Sequence, residues 1–281
     1  MLFLHSFWSD AFFTSRWGRE PDPKPDLFCF ALSAHLIRQA GHEICLITDS
    51  AGEKLMGEFP YTEIRTDLED MAYINPKFWT AGKVWSLGLY PQTKCVHIDG
   101  DVFLTGEKVF EKLIGDWDLV VQSKEIGAHF HNTYPSCFEE LERWHGYYNF
   151  DFDKLRTYNF TYNTGIFGMR EPHLSSFYHE YFVKLTALQG GKFEFHPVHD
   201  VNLVLEQSLL TYQAQHHNLN VTEILPLAEM DVWGLSGAAD RIGYTHLWGK
   251  TKYQPVWQEK VQRQVRAYDS KLWERISKLK F

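Results

Sequence analysis

Runs of apolar residues alternate along the chain with loops marked by proline, glycine or acids, and the order of these runs suggests the fold. MLFLHSFW reads as a first strand, followed by the Pro-rich loop REPDPKPD. LFCFALSAHLIRQ then predicts a helix capped by Asp26 and stopped by Gly41, and EICLITD supplies the second strand of a β-α-β unit over residues 1–50. Asn75-Pro76 offers a cap and a first-turn proline for a helix running to about Tyr90. PQT turns the chain into the strand KCVHI. DLVVQ (118–122) and TYNTGIFGMR read as further strands, PHLSSFYHEYFVKLTALQGG as a helix closed by glycines, and Pro197 to His216 as another helix before the strand VTEIL. From Pro255 the chain is helical. No repeat, low-complexity tract or linker interrupts this order, so the pattern predicts one α/β domain with a mixed central sheet. Residues 1–254 form its body, and 255–281 form an amphipathic helix packed on it.

Composition narrows the classes of function. Hydrophobic residues at 44% and aromatics at 16% of 281 residues are ample for a packed core. A formal net charge of -8 argues against nucleic acid as a partner, because no basic field would hold a polyanion. Cys29, Cys45, Cys95 and Cys137 lack metal-type spacing and read as reduced thiols. The N-terminus lacks the basic flank of a signal peptide, and no run is long enough to span a bilayer. These features predict a cytoplasmic protein.

Candidate chemistry centres on HIDGDVFLTG. Two aspartates one residue apart at a strand end repel each other and lose hydration, which a divalent cation with oxygen ligands would offset. Asp-x-Asp occurs three times, at Asp99/Asp101, Asp116/Asp118 and Asp151/Asp153. Only the first pair follows a continuous apolar strand, at the end where open α/β sheets bind ligands.

Asp99–Asp101, YNTGIFG at 162–168 and HLWGKTK at 246–252 occur in that order. Together they resemble the GT-A-fold glycosyltransferases, in particular the retaining family that includes glycogenin and bacterial lipopolysaccharide galactosyl- and glucosyltransferases. The resemblance implies a Rossmann-like nucleotide-sugar-binding domain that moves a hexose, most simply from a UDP-sugar, to a glycan or lipid-linked acceptor. It implies Mn²⁺ or Mg²⁺ on Asp99, Asp101 and His246, with Gly249 and Lys252 closing over the diphosphate. Asn163 and Gly165 would lie beside the sugar. Lys83, eight residues before Pro91, takes the place of the family's basic helix residue. The family's Asp-Gln pair matches Glu206-Gln207 or, as the rival, Asp200. The first strand departs from the family, offering His5, Ser6 and Trp8 where a polar Asp and Asn hold the uridine. Trp79 is a further stacking candidate.

Two other readings compete. HIDGDVFLTG superficially resembles the nucleophile motif of haloacid-dehalogenase-type phosphatases, but Thr105 is displaced and GDWD at 115–118 has the wrong spacing for the second motif. The altered first strand leaves room for a non-catalytic, carbohydrate-binding relative. In the C-terminal segment Trp257, Val261, Val265, Tyr268, Leu272, Ile276 and Leu279 draw one apolar stripe. Residues 256–281 carry seven Lys or Arg against three Asp or Glu. The stripe packs on the domain, or the end of the helix rests peripherally on the inner, anionic face of a membrane.

Overall fold

The computed structural model describes residues 1–14, 22–127, 158–190 and 198–281. Asp151/Asp153, Cys137, Pro197 and most of the His-rich middle lie outside the described residues. The class expected from the sequence is present: a mixed α/β fold whose central sheet has, among the described residues, seven strands in the order β3-β2-β1-β4-β7-β6-β8. The strands are β1 (Leu2–Phe7), β2 (Glu43–Thr48), β3 (Glu63–Arg65), β4 (Cys95–Ile98), β6 (Leu119–Glu125), β7 (Thr161–Met169) and β8 (Val221–Glu223). Only β7 runs against the others. A second, two-stranded sheet pairs β5 (Val102–Leu104) with β9 (Tyr244–His246), antiparallel.

Helices cover both faces of the sheet, so its strands are apolar on both sides. Alternate residues divide accordingly. Leu4, Ile47, Val121 and Phe167 join one core layer with residues of α4 (Ala81–Gly88) and α6 (His173–Gly190). Phe3, Ile44, Val96, Val120 and Ile166 join the other, with α2 (Lys24–Gln39) and α5 (Glu107–Ile114). Short helices α1 (Ser9–Thr14) and α3 (Ser50–Met56) follow β1 and β2. Beyond α6, α7 (Val198–Leu203) passes through a π-helical turn (Val204–Ser208) into α8 (Leu209–His216). α9 (Leu227–Ile242) leads into β9.

Three local expectations are corrected. The helix expected from Asn75 begins only at Ala81. Asn75 Oδ1 accepts from the Lys77 amide, and Asn202 bonds both Lys77 O and Thr80 Oγ1, which draws residues 75–80 into turns. Asp26 is no cap, because α2 starts two residues earlier and Asp26 is buried in its first turn. The C-terminal segment is two helices, α10 (Pro255–Tyr268) and α11 (Ser270–Lys278). Asp269 breaks it: its backbone is extended and its carboxylate caps α11 at the Leu272 amide.

The apolar stripe is nevertheless continuous across that break. Val261, Val265, Leu272 and Ile276 are buried against Leu27, Phe28, Ala31 and Leu32 of α2, and the Tyr268 ring stacks on His35 at 3.6 Å. This is why α2 is apolar around most of its surface, since the sheet takes one side and α10–α11 the other. The stripe is therefore taken up by the domain, while Phe281, off the stripe, is exposed; peripheral membrane contact is not supported. Among the described residues no helix is long and apolar enough to cross a membrane.

Candidate active site

Because β1, β4 and β6 are parallel and β7 is reversed, the ends of the first three and the start of β7 meet at one edge of the sheet. Four chain segments far apart in sequence converge there around a cavity of about 700 Å³, a size ordinary for small-molecule sites. Ser6 and Trp8 come from the end of β1 and the residue after it, Asp99 to Asp101 from the turn that follows β4, Glu125 from β6, and Asn163 to Gly165 from β7. Glu206 and Gln207 enter from the π-turn, where the wider winding leaves both consecutive side chains on the cavity wall. The His246–Lys252 segment forms another wall. Its position is fixed by β5–β9 pairing, which sets His246 opposite Val102 and bonds the Leu247 amide to Asp101 O at 3.0 Å.

One oxygen each from Asp99 and Asp101 and one nitrogen from His246 lie within 4.8 Å of one another. His246 Nδ1 is 2.7 Å from Gln122 Oε1, which also accepts from the Tyr244 hydroxyl. An amide oxygen only accepts, so the imidazole proton is on Nδ1 and Nε2 turns its lone pair toward Asp101 Oδ1, 3.3 Å away. Two acceptors face each other, an arrangement satisfied by a second proton on the ring or by a cation between them. Oxygen donors plus an imidazole whose other nitrogen is held by a carbonyl suit a Mn²⁺-type ion. The donor set fits the metal expected from the sequence.

Lys252 Nζ is 2.6 Å from Asp101 Oδ2 and 3.3 Å from Asp26 Oδ1. Burial alone would raise the Asp101 pKa, but Lys252 and His246 outweigh it and hold the carboxyl well below its usual range. Burial would likewise lower Lys252, and Asp101 and Asp26 reverse that.

Lys83 is buried, not a solvated helix residue. Its ammonium lies 2.8 Å from Asp99 Oδ1 and 2.7 Å from Glu206 Oε1, and donates to Thr164 O at 2.9 Å. Burial works to lower its pKa, and the two carboxylates raise it above the usual lysine value. Burial raises Glu206, with Lys83 opposing and Asp99 reinforcing.

Most residues expected from the sequence therefore surround one cavity: Ser6, Trp79, Lys83, Asp99, Asp101, Asn163, Gly165, Glu206, Gln207, His246, Gly249 and Lys252. His5 does not. It is fully buried, its Nδ1 within 2.9 Å of the Tyr61 hydroxyl and its Nε2 near Ser33 Oγ, and burial pushes its pKa down to about 3. Gly165 makes room, but for the protein itself: a Cβ there would sit 2.5 Å from Gln122 Oε1 and 2.7 Å from the His246 ring. Asp200 belongs to α7, and its side chain lies outside the described residues. Asp116 pairs with Arg170, and Asp118 accepts from the Asn220 amide, so this second Asp-x-Asp fastens the edge of the sheet.

Sequence reasoning missed four residues. Gln122 orients His246, Asp26 holds Lys252, and Glu125 accepts from Asn163 Nδ2 at 2.6 Å. His97, two residues before Asp99, is also buried on the cavity wall. Asp26 was visible as an acid directly before an apolar run, and Glu125 as a charge ending a strand; a single glutamine in DLVVQ carries no signal.

A family model described as Family of unknown function (DUF6734) matches residues 1–279. No curated protein matches the sequence. Among solved structures, the chain is similar to the apo form of mouse xyloside xylosyltransferase 1, with 12% identity, a TM-score of 0.41, and coverage of 79% of this chain and 83% of that one. It is also similar to the galactosyltransferase LgtC in complex with donor and acceptor sugar analogs, with 10% identity, a TM-score of 0.46, and coverage of 95% and 96%.

Proposed function

The chain belongs to that family, DUF6734, and from the geometry of its site we propose that it is a metal-dependent GT-A-type glycosyltransferase. It would take a hexose from a nucleotide-sugar, in the first instance a UDP-sugar, and pass it to a glycan or lipid-linked acceptor with retention of configuration. The observation that supports this best is the cluster of Asp99, Asp101 and His246, flanked by Lys252 and opening on the cavity. A divalent cation there would stabilise the charge that gathers on a departing nucleoside diphosphate.

The chain's own residues supply the rest. Lys252 is a mobile-stemmed point charge already among carboxylates, and an incoming diphosphate would draw its ammonium from Asp101. Gly249, at φ +54°, gives the covering segment a backbone turn that other residues rarely adopt. Glu206 and Gln207 would put a carboxylate and an amide where the sugar's reactive face would lie, and Lys83, paired with Glu206, opposes the rise in pKa that burial imposes on it. Asn163, fixed by Glu125 and the Gly165 amide, presents an oriented side chain beside them. The buried thiols of Cys29, Cys45 and Cys95 support a cytoplasmic setting.

The test is release of nucleoside diphosphate from a panel of UDP-, GDP- and CDP-sugars with and without Mn²⁺. Metal-dependent release from one donor supports the reading. Phosphate release from small esters instead would favour the phosphatase, and neither activity would favour a binding protein.

A further inference from the structure

β1 and β4 are neighbours, with Leu4 paired to His97. Ser6, two residues on and on the same face of β1, places its hydroxyl 2.9 Å from His97 Nε2. The other ring nitrogen, Nδ1, is buried without a hydrogen-bond partner and faces Asp99 Oδ1 at 3.8 Å. A lone pair there would point at a carboxylate, so electrostatics put the ring proton on Nδ1. Nε2 must then accept, and the Ser6 hydroxyl must donate to it. The proton of Ser6 is thereby committed, and only its lone pairs remain for the cavity that both residues line.

We propose that Ser6, oriented by His97, accepts a hydrogen bond from a ribose hydroxyl of the nucleotide and makes the site select ribonucleotides over deoxynucleotides. The proposal rests on the nucleotide-sugar reading above. His97 lies on β4 two residues before Asp99 of the metal cluster that would hold the diphosphate. Along β1, Ser6 is followed by Phe7 and Trp8, apolar surface of the same cavity suited to a base. A nucleoside that reaches from one to the other carries its pentose past Ser6. An acceptor with no proton to give takes a hydroxyl and offers nothing to a C–H, so the discrimination follows from the direction of the hydrogen bonds. His97 acts through Ser6 and is a positioning residue.

Calorimetric titration of the full chain with Mn²⁺ and UDP, GDP or CDP, each compared with its 2′-deoxy and 3′-deoxy forms, tests this. The wild type should bind one ribose form about tenfold more tightly than the analogue lacking the contacted hydroxyl, the value of one hydrogen bond. Ser6→Ala should bring that ratio close to one by weakening the ribose form alone, and Ser6→Thr should keep it. His97→Phe, which preserves the ring but frees the serine proton, should reduce the ratio with little change in affinity for the deoxy form. Equal binding of ribo and deoxy forms by the wild type, or an unchanged ratio in Ser6→Ala, would overturn the proposal. Failure of the wild type to bind any nucleoside diphosphate with Mn²⁺ is a distinct result, and would overturn the underlying reading as well.

Discussion

Replacing Lys83 by methionine should be among the most destabilising single changes near the cavity. Methionine keeps most of the apolar stem and removes only the charge. Glu206 is 1% exposed and would lose its cationic partner, while Asp99, with 30% of its side chain exposed, can turn to water. Removing one member of a buried ion pair costs about 3–5 kcal/mol, nearly all of it from Glu206 here. For a chain of this size that corresponds to a fall in Tm of about 6–10 °C. Adding Glu206→Gln should recover more than half of the loss, because the uncompensated charge is then gone. The pH dependence has a definite sign. Burial already raises Glu206 and Lys83 opposes the rise, so in Lys83→Met the folded-state pKa climbs further above the unfolded value of about 4.3. The variant then takes up a proton on folding and regains stability as pH falls from 8 toward 5, which narrows the gap to wild type. Urea denaturation of wild type, both single variants and the double variant at several pH values measures all of this. A loss below about 1 kcal/mol, or a gap independent of pH, would refute the argument.

Three further changes have expected outcomes. Gln122→Leu removes the acceptor that fixes the His246 tautomer and should weaken Mn²⁺ binding about 10–100-fold in a metal titration, with stability measured alongside to separate misfolding. Gly165→Ala should act at the same place, since its Cβ lands 2.7 Å from the His246 ring; unaltered metal affinity would show that the ring has room to move. Ile276→Ala, at a fully buried position of α11, should cost about 2–4 kcal/mol by denaturation, whereas an almost neutral effect would mean that the C-terminal stripe is only loosely packed.

How much of this was legible beforehand depended on distance along the chain. Asp99 and Asp101 could be read because a strand and the acids that end it are contiguous. His246 and Lys252 could be read only through a spacing shared with a known family, since their approach to Asp101 depends on β5–β9 pairing. Gln122 and His246 are 124 residues apart and meet only because two sheets converge, so no local pattern could join them. His5 could have been placed correctly by alternation: Phe3, His5 and Phe7 share one face of β1, while Leu4, Ser6 and Trp8 share the other. Asp26 looked like a cap because an acid before an apolar run usually is one; Pro25 moved the helix start forward and left Asp26 facing Lys252. The break at Asp269 was hidden by an apolar stripe that runs unbroken through it.

The claim on which the rest depends is that Asp99, Asp101 and His246 hold a divalent cation that carries a nucleoside diphosphate. Electron paramagnetic resonance of free Mn²⁺, titrated against the protein with and without UDP, tests it directly. The account predicts one bound Mn²⁺ per chain, tighter with UDP present and lost in Asp101→Asn; that change leaves the Lys252 ammonium to Asp26 alone, so circular dichroism of the variant is recorded alongside to establish that it is folded. Mn²⁺ binding in Asp101→Asn that matches the wild type, or no binding by the wild type with UDP, would contradict it.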